Sequence, residues 1–256
     1  DKNHVYLNDK SVDGADVATF EELGYRISKD KNSVYFYDGK VTGKVAGADS
    51  ESFSKVQDDF YKDKNSVYLN ENKINGTDPE TFKIINEIYS KDKNSVYYKE
   101  MKIKSMDSST FQYLGAGYAR DKDHIFYLGK KTELDPESFK ILWYGISKDK
   151  NNVYSQDRVL EGSDAETFEE VGAPYFKDKK FVYYNEIKLK DADPETAKVQ
   201  GSSYLSDKNN VYFENEKITG ADSSSFEVLG MDYSKDKNHI YFNNERIPAD
   251  VNSFEI

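Results

Sequence analysis

Seven residues, Asp30-Lys31-Asn32-Ser33-Val34-Tyr35-Phe36, recur in close copies nine times along a chain of 256. The copies begin at Asp1, Asp30, Asp63, Asp92, Asp121, Asp149, Asp178, Asp207 and Asp236, and six of the eight steps are 29 residues. A fixed period of this length marks a repeat architecture. One unit is too small to bury its own apolar face and must stack on its neighbours. The whole chain, 1–256, therefore reads as a single array of nine units with the last one incomplete.

The third unit shows the local chemistry best. Asp63-Lys64-Asn65 is turn-forming: Asp accepts bonds from backbone N–H groups two or three residues on, and Asn tolerates the left-handed backbone of a short hairpin loop. A short strand precedes it and another, Val67-Tyr68-Leu69, follows. In that following strand Val and the third residue share one face. The middle aromatic (Tyr6, Tyr35, Tyr68, Tyr97, Phe126, Tyr154, Tyr183, Tyr212, Tyr241) takes the other. A large ring there in every unit predicts that both faces are covered. A second turn, as at Asp38-Gly39 or Leu128-Gly129, leads into a brief third strand such as Lys73-Ile74.

Next comes a helix-start signature. Asp78-Pro79-Glu80, Asp135-Pro136-Glu137 and Asp193-Pro194-Glu195 each offer a capping Asp, Pro at the first helical position and an acid in the first turn. Phe82 with Ile85, and Phe111 with Leu114, have the spacing of one helical face. A Gly follows at Gly24, Gly115, Gly172 and Gly230, where a helix would end. The capping Asp lies 14 residues before the next Asp-Lys start in all eight cases, whereas the preceding interval varies from 14 to 19. Loops absorb length changes and packed elements do not. The expected fold is α+β: a β-rich tandem repeat whose units carry three short antiparallel strands and one short helix. The stack is expected to form an open, solenoid-like array, with a closed, propeller-like array as the alternative.

Composition narrows the function classes. Aromatic residues make up 14% of the chain, with 21 Tyr and 15 Phe, which a disordered chain would lack. The formal net charge is −11, so nucleic acid and anionic membrane are not expected partners. No Cys is present, which excludes disulfides and thiolate chemistry. No apolar run approaches the roughly 20 residues of a membrane span, so membrane insertion is not expected. No secretory leader stands at Asp1, and the chain reads as a mature or excised segment.

The repeated string resembles that of the DKNYY family, nearly spelled by Asp92-Lys93-Asn94-Ser95-Val96-Tyr97-Tyr98 and Asp207-Lys208-Asn209-Asn210-Val211-Tyr212-Phe213. The resemblance covers the whole chain. It implies a bacterial repeat protein, exported or at the cell surface, in the periplasm or outside, and transfers no catalytic residues. The seventh unit departs from it at Lys180 and Phe181.

No catalytic or metal constellation stands out. The Asp-x-Asn spacing lacks the Gly and closing Glu of a calcium loop. His4, His124 and His239 share one repeat position and do not cluster. Acids present in every unit serve the unit rather than one active site. No cofactor and no enzymatic activity are expected, and the chain reads as a monomer. Departures from the repeat are better candidates: the insertion at Val41-Thr42-Gly43-Lys44-Val45, the lone Trp143 beside Tyr144, and the pair Phe181 and Ala197. Phe181 would either refill the space left at Ala197 or join Trp143 and Tyr144 in lining a groove for a ligand. The reading that follows is a non-enzymatic scaffold that binds a protein. The alternatives are a carbohydrate-binding module using exposed aromatics and a structural spacer.

Overall fold

A computed structural model describes residues 4–7, 10–24, 26–39, 42–143 and 145–256. Every element in these residues is a β-strand, and no helix occurs among them. After a two-stranded hairpin, Tyr6–Leu7 with Lys10–Ser11, the strands form eight four-stranded antiparallel sheets, each a meander in chain order. In one of them Lys83–Ile84, Tyr89–Lys91, Val96–Tyr98 and Met101–Lys102 follow one another. The expectation of a β-rich tandem repeat holds. The expectation of an α+β unit with three strands and a helix is overturned: the unit is all-β with four strands.

The correction has a local cause. The carboxylate of Asp78 accepts the N–H groups of Glu80 at 3.0 Å and Thr81 at 3.3 Å. That is the bonding of a helix N-cap, but one turn satisfies it and the chain then extends. Phe82 and Ile84 pack into the core while Ile85 is 39% exposed, so the burial period is 2 rather than that of a helix. The glycines expected to end helices stand instead at the close of first strands. Gly115 (φ 105°) and Gly230 (φ 117°) lie at register shifts that let the chain turn into the second strand.

The Asp-Lys-Asn turn does join two strands, the second and third of each sheet. Its Asn is not left-handed, however: Asn65 and Asn94 are absent from the positive-φ residues. Left-handed residues instead occupy the next turn, at Asn70, Lys99, Leu128, Gln156, Asn185, Glu214 and Asn243. The insertion in the second unit lengthens the hairpin there. Val34–Tyr37 pairs with Thr42–Lys44, while Val41 lies outside the described residues.

The chain divides into two compact units, Asp1–Glu133 and Leu134–Ile256. Within each, successive sheets pack face to face, and each core lies between two sheets. In the first unit Ile27 and Val34 of one sheet meet Tyr61 and Tyr68 of the next. Likewise Tyr89 and Val96 meet Ala119 and Phe126. In the second unit Ile146 and Val153 meet Phe176 and Tyr183, and Tyr175 and Val182 meet Leu205 and Tyr212. Adjacent residues of the third strand thus serve different cores, Val the following one and the aromatic the preceding one, as period-2 geometry requires. The middle rings from Tyr35 to Tyr241 are all buried, and only Tyr6 of the initial hairpin is exposed, at 50%. No helix among the described residues is long and apolar enough to cross a membrane.

Candidate functional site

From the second unit on, the leading Asp of the unit accepts at least three hydrogen bonds. All eight from Asp30 to Asp236 are buried, a rare place for an unpaired carboxylate. Around Asp92, Oδ1 accepts the N–H groups of Asn94 and Ser95, both at 2.8 Å. Oδ2 accepts the Asp78 N–H at 2.9 Å and the Tyr97 hydroxyl at 2.8 Å. The bond from the N–H 14 residues upstream recurs at all eight positions, between 2.6 and 3.0 Å. This clasp is why the 14-residue interval never varies. Six of the eight also take the tyrosine hydroxyl. At Asp121 the ring is Phe126, and at Asp207 the Tyr212 hydroxyl turns to the Lys190 carbonyl.

The electrostatics follow from these bonds. Burial pushes the carboxyls of Asp30, Asp149, Asp178 and Asp236 up, but the N–H donors outweigh it and hold them below the usual carboxylate range. Burial, and then the adjacent carboxylate, pushes the hydroxyls of Tyr68, Tyr97, Tyr183 and Tyr241 up. The upstream Asp is clasped in turn: Lys93 Nζ lies 2.6 Å from Asp78, and the same pair recurs six more times.

At the opposite end of the sheets a different tyrosine joins neighbouring repeats. Tyr89 donates to the Gly117 carbonyl and accepts the Gly129 N–H. Tyr175 reaches Ser203 and Glu214, and Tyr204 reaches Asp232. Burial raises the Tyr89 hydroxyl to about 12.

In six of the eight clasps the buried carboxylate is matched to three N–H donors and one O–H donor. Among the described residues no group of three or more His, Asp or Glu could hold a metal ion. Clefts recur as well. One of about 440 Å³ lies beside Lys91, Lys93 and Ser108, and another of about 270 Å³ lies beside Lys177, Lys179 and Pro194 at the same repeat positions.

Of the residues singled out from sequence, Trp143 closes a first strand at a register shift, opposite Ile146, and is 44% exposed. Tyr144 lies outside the described residues. Phe181 follows the seventh Asp-Lys turn, is 37% exposed, and lies edge-on to Tyr183 with Lys188 Nζ 4.5 Å from its ring centre. It is not part of the core to which Ala197 belongs. There Leu205 stands where the first and third cores hold Tyr61 and Phe176. Sequence reading missed the exposed Met101 (63%) and Met231 (81%), which lie at sheet edges and turns. Met101 directly follows the Lys99-Glu100 turn, a signal that was available.

The sequence model of the DKNYY family matches residues 1–130, 36–158 and 118–245. No curated protein and no solved structure matches the chain.

Proposed function

The chain belongs to the DKNYY family, and from that membership we propose that it is a non-catalytic scaffold that binds a protein partner, in an exported or surface-associated bacterial protein. One observation carries the reading: the buried clasp constant from repeat to repeat is turned inward, while large apolar side chains particular to single repeats are exposed. The Asp, its Tyr and the upstream N–H are occupied by one another in unit after unit. Outward positions carry Met101, Trp143, Phe181, Ile187 and Met231, each in a single repeat. A surface that varies on a constant frame suits recognition. The carbohydrate reading loses its main support because the aligned rings are buried.

The test places a photo-crosslinking residue at Met101, Trp143, Phe181 or Met231 of the full-length protein in its own cells, with external protease reporting exposure. Discrete protein adducts from one or more of these positions are expected. Adducts from none, with the fold intact, would leave a spacer. Turnover of any substrate by the purified chain would overturn the non-catalytic reading.

A further inference from the structure

The outer edges of the sheets in the first unit carry a pattern that depends on strand register. On the fourth strand a lysine stands across from the buried ring of the third: Lys44 from Tyr35, Lys73 from Tyr68, Lys102 from Tyr97, Lys131 from Phe126. All four lysines are exposed. A charged residue on an edge strand also keeps open edges from pairing with one another, and that accounts for one lysine per sheet. It does not account for two successive edges. Stretches 99–104 and 128–133 hold five lysines against two glutamates, in a chain of net charge −11. Among them Met101 is 63% and Leu128 38% exposed. These edges adjoin: a methyl added at Gly129 would meet Tyr98 Cβ at 2.6 Å, and the Gly129 N–H donates to Tyr89 of the neighbouring sheet.

We propose that this edge docks an acidic polypeptide segment of the partner protein. Its apolar side chains seat over Met101 and Leu128, and its carboxylates meet Lys99, Lys102, Lys130 and Lys131. The proposal rests on the protein-binding reading above and names the face and the partner's chemistry. The exposed apolar pair selects a polypeptide over a polyphosphate or an acidic sugar polymer, which the cations alone would not.

The probe is a glutamate–tyrosine copolymer titrated calorimetrically onto the intact chain, with polyglutamate and polyphosphate beside it. The copolymer is expected to bind most tightly and to weaken with salt. The double variant Lys102→Glu/Lys131→Glu is expected to weaken it by at least about tenfold, or about 1.4 kcal/mol. Met101→Ser/Leu128→Ser should abolish its advantage over polyglutamate. Lys140→Glu/Lys198→Glu, in the second unit, should leave binding unchanged. Lys102→Gln/Lys131→Gln serves if the reversal disturbs the fold. Binding within about twofold of wild type in the lysine variants would overturn the proposal, as would polyphosphate binding as tightly as the copolymer. Crosslinked adducts at Trp143 or Met231 but not at Met101 would sink this face and leave the protein-binding reading standing. Adducts nowhere would sink both.

Discussion

Asp92→Asn is the sharpest test of the clasp, because it keeps the side chain's shape and removes one acceptor. In the wild type Oδ2 receives the Asp78 N–H at 2.9 Å and the Tyr97 hydroxyl at 2.8 Å. An amide nitrogen at that position turns a donor toward both. The tyrosine hydroxyl can adjust, since it also lies 2.8 Å from the Gly76 carbonyl and can donate there while accepting from the amide. The Asp78 N–H has no such freedom. Losing a hydrogen bond to a charged group costs about 1.5–3 kcal/mol, and the two bonds left on Oδ1 weaken when their acceptor becomes neutral. The expected loss is about 3–5 kcal/mol in urea denaturation. Asp78→Asn is the control: it gives up a solvent-screened pair with Lys93 and keeps the turn bonds, so it should cost far less than Asp92→Asn. Hydrogen exchange supplies a second readout, with the Asp78 amide losing protection in Asp92→Asn. A cost under about 1 kcal/mol for Asp92→Asn, or one no larger than that of Asp78→Asn, would refute the clasp.

Acid should loosen the molecule through the upstream aspartates. Lys64 and Lys179, and then a neighbouring hydroxyl, hold Asp49 and Asp164 down to about 2, against 3.8 when unperturbed. A carboxyl depressed on folding stabilises above its unfolded value and stops doing so as pH falls through the folded one. Stability should therefore drop between about pH 4 and 2, and melting temperatures of Asp49→Asn/Asp164→Asn should fall less steeply there than wild type; parallel slopes would contradict this. Ser90→Ala should raise stability by about 1 kcal/mol, because the Ser90 hydroxyl is buried without a hydrogen-bond partner; a loss in chemical denaturation would refute this. Lys99→Asn should stabilise by about 0.5 kcal/mol, since Lys99 is left-handed (φ 52°) where sister turns place Asn70, Asn185 and Asn243. A lowered melting temperature would refute that.

The parts of the fold that rest on near neighbours in the chain were readable. The Asp-Lys turn, the alternating third strand and the covered second face all follow from residues within a few positions of one another. Two features were not. Asp78-Pro79-Glu80 carries the same capping chemistry whether one turn or three follow, so the helix could be rejected only by tertiary burial of Phe82 and Ile84 against the preceding sheet. The burial of Asp92 depends on an N–H 14 residues away, and no local pattern reveals where that N–H points. The fixed interval was visible in the sequence, but its cause was not. The departures were found by their irregularity, and Trp143 and Phe181 are both exposed. The lysines of the sheet edges looked scattered among acids in the sequence and became a cluster only through register.

The clasp between Asp78 and Asp92 also acts as a ruler. A residue gained or lost inside the measured interval would pull the N–H from the carboxylate, in any repeat. A residue gained between the third and fourth strands only lengthens a hairpin, as the stretch from Val34–Tyr37 to Thr42–Lys44 already does. The frame thus separates where the chain can be edited from where it cannot. The editable stretch is the outer edge of each sheet, where a foreign loop could be grafted while every clasp stays in register.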